Sequence, residues 1–364
     1  MTRQHSTPIL EKFSDEVLDL ICQTVRDAGE LEAESKRFQR TANELQNSLK
    51  PLSLTSKHLR ALCIPYLFDK FNLIFYESDP WIKAMEKLRG WNPEFARHVR
   101  NIHISLLLSY NADPEPFVAE LPQELAKVLG SLAIPESKLS SITMQIDKTR
   151  ATLFAEAFTV QMPQPVFPTI THVNVFPHND FIIASCPNTK NLSGHEFSKS
   201  RGTRTSINEH SYSLLLKATK LEQLTSLMLD DSVTSELMEA LHGAVPNISN
   251  ISLSSYRLGM KFEELIDHIV KFQSLQFLSF PRMACLHVGY NPPRCGNAYM
   301  GPGGAELSRK LAKQRKEIED RLARMILGEI GGRCKRVREV GFGSSRCRIK
   351  VNEEGKKELD WWTE

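Results

Sequence analysis

The segment Leu224-Thr225-Ser226-Leu227-Met228-Leu229 places apolar side chains at its first, fourth and sixth positions. The same spacing returns as Val99, Ile102, Ile104; Leu139, Ile142, Met144; Ile170, Val173, Val175; Ile248, Ile251, Leu253; Leu275, Leu278, Phe280; and Val337, Val340, Phe342, with a degraded copy at Thr189 and Leu192. Alternation over the last three residues of each copy reads as a half-buried strand. Alternation alone does not impose the three-residue step that precedes it, so its recurrence marks a repeating unit. Between the copies lie helical patterns over 81–88, 117–132, 211–219, 235–241 and 262–272. Strand followed by helix in a unit of about 20 to 30 residues predicts an α/β chain built as an irregular leucine-rich-repeat solenoid. A two-layer α/β domain carries the same alternation and stays open at this point. Where such repeats often place Asn, three residues past the last apolar position, this chain has Ser232 and Tyr256, so no asparagine ladder is expected.

The scheme is interrupted at 283–336 by a loop rich in Pro and Gly (Pro292, Pro293, Gly301, Pro302, Gly303, Gly304). A helix follows, with Leu307, Leu311, Ile318, Leu322 and Ile326 on one face. From Glu306 to Arg338 eleven basic residues stand against five acidic ones. A hairpin over 346–364, with Trp361 and Trp362, is expected to cover the end of the array. The repeat-like domain is thus expected over 79–345, with the hairpin as its cap.

Residues 1–78 read differently. Val17, Leu18, Ile21, Cys22 and Val25 recur at helical spacing after Ser14, a capping residue, with Asp15 and Glu16 where the helix dipole favours acids. After Gly29, five basic and five acidic residues between Arg26 and Lys50 surround Leu31, Phe38 and Leu45, spaced by seven, which predicts a solvated amphipathic helix at about 30–45. Leu49, Leu52, Leu54, Leu59 and Leu62 predict a third helix, with Pro51 in its first turn and Pro65 past its end.

Composition bounds the function. The 364 residues are 41% apolar and 24% charged, with a net charge of +3, so no field of the whole molecule demands nucleic acid or anionic lipid. No apolar run reaches a membrane span, and Met1 to Leu10 is polar, so an intracellular protein is expected and Asn191, Asn247 and Asn250 read as chance glycosylation patterns. Seven scattered Cys fit neither a disulfide framework nor a zinc module. Cys285, His287 and Cys295 lack a second close pair to complete four metal ligands. Gly341-Phe-Gly-Ser-Ser345 and Gly301-Pro-Gly-Gly304 lack the order of a nucleophile elbow or a phosphate loop and read as turns. His172, His178 and His195 are dispersed. No catalytic residue, cofactor or metal is expected. The basic cluster of Arg309, Lys310, Lys313, Arg315 and Lys316, joined by Arg333, Lys335, Arg336 and Arg338, reads as a solvated helix face, because no aromatic residues interleave it.

Leu10-Glu-Lys-Phe-Ser-Asp-Glu-Val-Leu-Asp-Leu-Ile, then Leu52-Ser-Leu-Thr-Ser-Lys-His-Leu-Arg-Ala-Leu and Pro65-Tyr-Leu-Phe, resembles an F-box, more narrowly the fungal type joined to leucine-rich repeats. The resemblance implies a three-helix module that docks onto a Skp-type adaptor of a cullin ubiquitin ligase while the domain behind it holds a protein substrate. By position, Phe13 stands where the family has Leu, Ser14 where it has Pro, and Glu16 at its Glu. Leu18 and Ile21 match its adaptor-facing apolar residues, and Leu52 and Leu54 match the apolar pair before Ser56-Lys57. Leu10 and Val17 complete the implied adaptor surface. The charged segment 30–45 reads as an insertion within the module.

The expected function is therefore a non-catalytic substrate adaptor of cytoplasm or nucleus, with a Skp-type subunit and, through it, a cullin as partners. A repeat scaffold without ligase association is the alternative. His172, Asn174, Ser226, Ser254 and Gln276, which alternate away from the apolar positions, are the candidate substrate contacts.

Overall fold

The computed structural model describes residues 13–35, 49–75, 81–107, 117–160, 165–195, 209–254, 258–281, 283–286, 288–290, 292–293, 300, 303–334, 336–343 and 345–363. The chain folds as two compact units, Met1–Thr143 with Leu153–Thr169, and Met144–Thr152 with Ile170–Glu364.

The first unit opens with α1 (Asp15–Ser35), α2 (Lys50–Ser53) and α3 (Lys57–Leu67). α1 runs through Gly29 without a break, because one glycine costs a helix only about 1 kcal/mol; Phe38 and Leu45 lie outside the described residues. The third expected helix is two, split where the Ser56 side chain accepts from Leu59 N–H and so starts a new helix. Pro65 sits inside α3 rather than beyond it, in the last turn before Phe68 caps Ile64 O. Cys22, Leu49 and Cys63 form the buried centre of this module, with Val25, Leu52, Leu62, Tyr66 and Leu67 packed around them.

The unit continues with β1 (Lys70–Phe75), α4 (Trp81–Arg89), a 3-10 turn (Pro93–His98), β2 (Asn101–Leu106) and α5 (Phe117–Leu132). β3 (Ser141–Ile146) and α6 (Lys148–Val160) straddle the division. β1 and β2 pair in parallel from Lys70↔Asn101 to Phe75↔Leu106. Phe68 stacks on Phe95 with ring centroids 3.9 Å apart, and Phe71 meets Trp91 edge-on.

The second unit holds β4 (His172–Val175), β5 (Asn191–Gly194), α7 (Glu209–Ala218), β6 (Ser226–Leu229), α8 (Ser235–Ala244), β7 (Asn250–Leu253), α9 (Phe262–Ile269), β8 (Phe277–Phe280), α10 (Gly304–Arg333), β9 (Glu339–Phe342), β10 (Ser345–Val351) and β11 (Lys357–Thr363). β4 to β9 pair in parallel, each with the next in sequence. β9, β10 and β11 pair antiparallel, the last two joined through a turn in which Gly355 takes φ +76°, a conformation that glycine adopts without strain.

The three-residue step has a physical cause. At each strand start one carbonyl of the preceding strand's approach accepts two successive N–H groups. Thr171 O takes Lys190 and Asn191, Lys190 O takes Thr225 and Ser226, Thr225 O takes Ser249 and Asn250, Ser249 O takes Gln276 and Phe277, and Gln276 O takes Arg338 and Glu339. The apolar residue before this pair turns inward, so Ile170, Ile248, Leu275 and Val337 are buried with the strands' own Val173, Leu192, Leu227, Ile251, Leu278 and Val340. Helices cover that inward side: a Cβ at Gly194 would meet Leu214 of α7 at 2.5 Å, and Phe262 of α9 packs on Phe280.

The chain is thus α/β, with strands in sequence order, but the sheet is not the leucine-rich-repeat solenoid expected. The parallel strands begin at residues 172, 191, 226, 250, 277 and 339, so no constant unit repeats. β4 and β5 are joined by a 3-10 turn (Asp180–Ser185), whereas a 30-residue helix stands between β8 and β9. The final strands reverse direction altogether.

Candidate functional site

The amino-terminal helices sort their apolar side chains onto two faces. Leu18 and Cys22 turn inward, as helical spacing from Val25 requires. Leu52 is half-buried against the Cys22–Leu49–Cys63 centre, and Ile21 is half-buried. Phe13, Val17, Leu20 and Leu54 instead remain 48%, 41%, 62% and 65% exposed. Val17 and Leu20, three residues apart, share one side of the first turns of α1, and Phe13 stands two residues before that helix begins. The expected adaptor surface is therefore divided: Leu18, at 1% exposure, belongs to the core, while Leu20, which the resemblance did not mark, lies exposed with Val17. Helical spacing from Val17 was the signal for Leu20. Leu10 lies outside the described residues.

Polar contacts fix α1 on α3. Asp15 Oδ1 stands 3.1 Å from His58 Nε2, Tyr66 Oη donates to Asp19 Oδ1 at 2.8 Å, and Arg26 reaches Asp69 at 3.5 Å. Leu54 caps the carboxyl end of α2, just before the Ser56 cap from which α3 starts. Glu16 lies at the start of the helix, where its own backbone N–H and the Ser14 hydroxyl hold its carboxyl below the usual range. Burial first, then the hydrogen bond to Asp19, pushes the Tyr66 phenol up to about 12.

In the second unit, strands β4 to β8 turn every other side chain away from the helices. Register aligns these into two rows: His172, Asn191, Ser226, Asn250 and Phe277, and Asn174, Ser193, Met228, Ser252 and Ser279. Three of the five candidate contacts, His172, Asn174 and Ser226, stand in these rows. Ser254 is one step past β7 with its Oγ 3.4 Å from Leu229 O, and exposed Gln276 sits in the strand-start step. Thr171 Oγ1 and Asn191 Nδ2 are 2.9 and 3.0 Å from the two ring nitrogens of His172. The rows end in a charged and aromatic border on β9 to β11. Arg346 lies 5.1 Å over the Phe277 ring and 3.2 Å from Glu339, Arg348 lies 5.2 Å over Trp362, and Lys350 pairs with Asp360 at 2.7 Å.

Three histidines gather near the carboxyl ends of β4 and β5. His178 is the one non-glycine residue with positive φ, +66°, among those described. His195 stacks on Phe176 at 5.0 Å, and burial lowers its pKa. Both ring nitrogens of His210, in the first turn of α7, are buried without a hydrogen-bond partner among the described residues. Burial, opposed by nearby Asp180 and Asp231, lowers its pKa to about 4. These side chains do not form a metal site: no group of three His, Cys, Asp or Glu in binding geometry occurs among the described residues. His287 and Cys295 lie outside them. No helix among the described residues is long and apolar enough to cross a membrane.

Compared with known proteins, the chain matches no protein-family model and no curated protein.

Proposed function

We propose that the chain is the substrate-recognition adaptor of a Skp–cullin–F-box ubiquitin ligase, working in cytoplasm or nucleus. The observation that carries this reading is the exposure of Phe13, Val17, Leu20 and Leu54 on the amino-terminal helices and the turns beside them. The module fills its own centre with Leu18, Cys22, Leu49, Leu59 and Cys63 and still leaves four large apolar side chains in water. Single exposed apolar residues are ordinary, but Val17 and Leu20 together on one helix side suit a partner's apolar groove. The F-box resemblance, which includes Phe13, Val17 and Leu54 though not Leu20, supplies the partner, a Skp-type subunit and through it a cullin.

The protein substrate is assigned to the two outward rows of β4 to β8. From His172 to Ser279 they offer hydroxyl and amide groups with Met228 and Phe277 as apolar anchors, the mixture of polar contacts and few large anchors that peptide interfaces use. No reacting group is required of the chain. It raises the effective concentration of a substrate lysine near the ubiquitin-charged enzyme.

The test is co-expression of the full chain with a Skp-type adaptor, followed by co-purification. The intact chain is expected to bring the adaptor with it, and a Val17→Asp, Leu54→Asp variant with unchanged circular dichroism is expected to lose it. An intact, folded chain that brings down no adaptor would instead leave a scaffold without ligase association.

A further inference from the structure

α10 uses three of its sides for the fold. Ile318, Leu322, Ile326 and Ile330 are buried, with Leu307 and Leu311 half-buried in line with them. On one flank Gln314 Nε2 donates to Gly289 O at 3.1 Å and Arg321 to Val288 O at 2.5 Å. On the other, Arg315 binds Glu319 at 2.9 Å and also Ser345 of β10. At about 100° per residue, Arg309, Lys313 and Lys316 fall together on the fourth side, opposite Leu307, Leu311 and Ile318, with Lys310 beside them.

All four cations are exposed. Arg309, Lys310 and Lys316 have no ion-pair partner among the described residues, and Lys313 reaches Glu317 only at 4.0 Å with both side chains largely in water. Like charges at i,i+4 (309 and 313) and i,i+3 (313 and 316) weaken a helix, so this stripe opposes the stability of the element that carries it.

We propose that this stripe docks a short acidic segment of a partner protein. From Arg309 to Lys316 the helix rises about 10 Å. An extended chain covers that length in roughly three residues, which puts acidic side chains at alternate positions about 7 Å apart against cations about 5 to 6 Å apart. Glu306 precedes the stripe, and Glu317 and Asp320 follow it, so it is bounded at both ends by acids. Those acids repel a continuing phosphate backbone, and four cations fall short of the roughly six to ten phosphate contacts of a salt-sensitive nucleic-acid complex. The surface is independent of the adaptor reading, since it uses no residue of the amino-terminal module.

The test is fluorescence anisotropy of a labelled hexaglutamate peptide with the full chain at low salt, with single-stranded DNA of twelve nucleotides as competitor. Binding is expected, weakening as salt rises, and falling about tenfold in Lys313→Glu, Lys316→Glu. It should persist in Lys313→Arg, Lys316→Arg and in the control Lys220→Glu on the turn after α7, all with unchanged circular dichroism. Absence of binding, equal binding by the charge-reversed variant, or displacement of the peptide by the oligonucleotide at lower concentration than by free hexaglutamate would each overturn the proposal.

Discussion

His210 shows at the scale of one residue how burial writes a pH dependence into the chain. Its ring nitrogens are buried and unpartnered among the described residues, and its pKa falls from 6.5 to about 4. Between these values the unfolded chain holds a proton that the folded chain lacks, so stability is intact above pH 6.5 and declines as pH drops toward 4. The decline is on the order of 3 kcal/mol at its full extent. Urea unfolding of the native chain and of His210→Phe between pH 7.5 and 4 should therefore give a smaller pH slope for the variant; parallel slopes would refute the assignment. The cysteines obey the same physics with the opposite sign. Burial pushes the thiols of Cys63, Cys186 and Cys347 up to about 12 and raises those of Cys22 and Cys334. Half-buried Cys285 is thus expected to react with a thiol reagent at pH 8 ahead of these five, in native chain followed by peptide mapping. Neither effect was legible in the sequence, because a histidine or cysteine among apolar letters does not declare whether a partner waits in the fold.

Among the elements, the strands were the most legible. Each copy of the apolar spacing became a strand, and the starts of β5 to β9 share the doubled hydrogen bond that accompanies it. α6 was not legible: buried Ala151, Phe154 and Phe158 share one side, but apolar Leu153 and Val160 lie exposed off it and blur the pattern. The split between α2 and α3 was missed because leucines continue at helical spacing across it, while the Ser56 cap decides the boundary. At this scale Ser56→Ala and Thr234→Ala, which remove the hydroxyls that accept Leu59 and Leu237 N–H, should each cost about 1 kcal/mol in chemical denaturation. Gly194→Ala should cost more, about 1 to 3 kcal/mol, because its methyl group would drive into Leu214. A neutral Gly194→Ala would contradict the packing of α7 on β5.

For the whole molecule, the sequence made the α/β class readable, while the irregular leucine-rich-repeat solenoid was an over-reading of the spacing. Intervals between strand starts vary too widely for one repeating unit, and the antiparallel end of β9 to β11 is set by turns rather than by apolar spacing. Of the residues that the resemblance places on an adaptor surface, Phe13, Val17 and Leu54 are exposed and Leu18 is buried. Leu18, which the resemblance marks as adaptor-facing, is buried, while Leu20, two residues on and so near the opposite side of the helix, is exposed. Under the proposed reading, α1 has a buried side that holds the module together and an opposite, exposed side that would meet the adaptor. Calorimetric titration of the full chain with a purified Skp-type adaptor separates the two, using Leu20→Asp and Leu18→Ala. Leu20→Asp should abolish binding with stability unchanged within about 0.5 kcal/mol, whereas Leu18→Ala should lose about 2 to 5 kcal/mol of stability. Undiminished adaptor binding by a folded Leu20→Asp chain would contradict the division of α1 and, with it, the proposed adaptor surface.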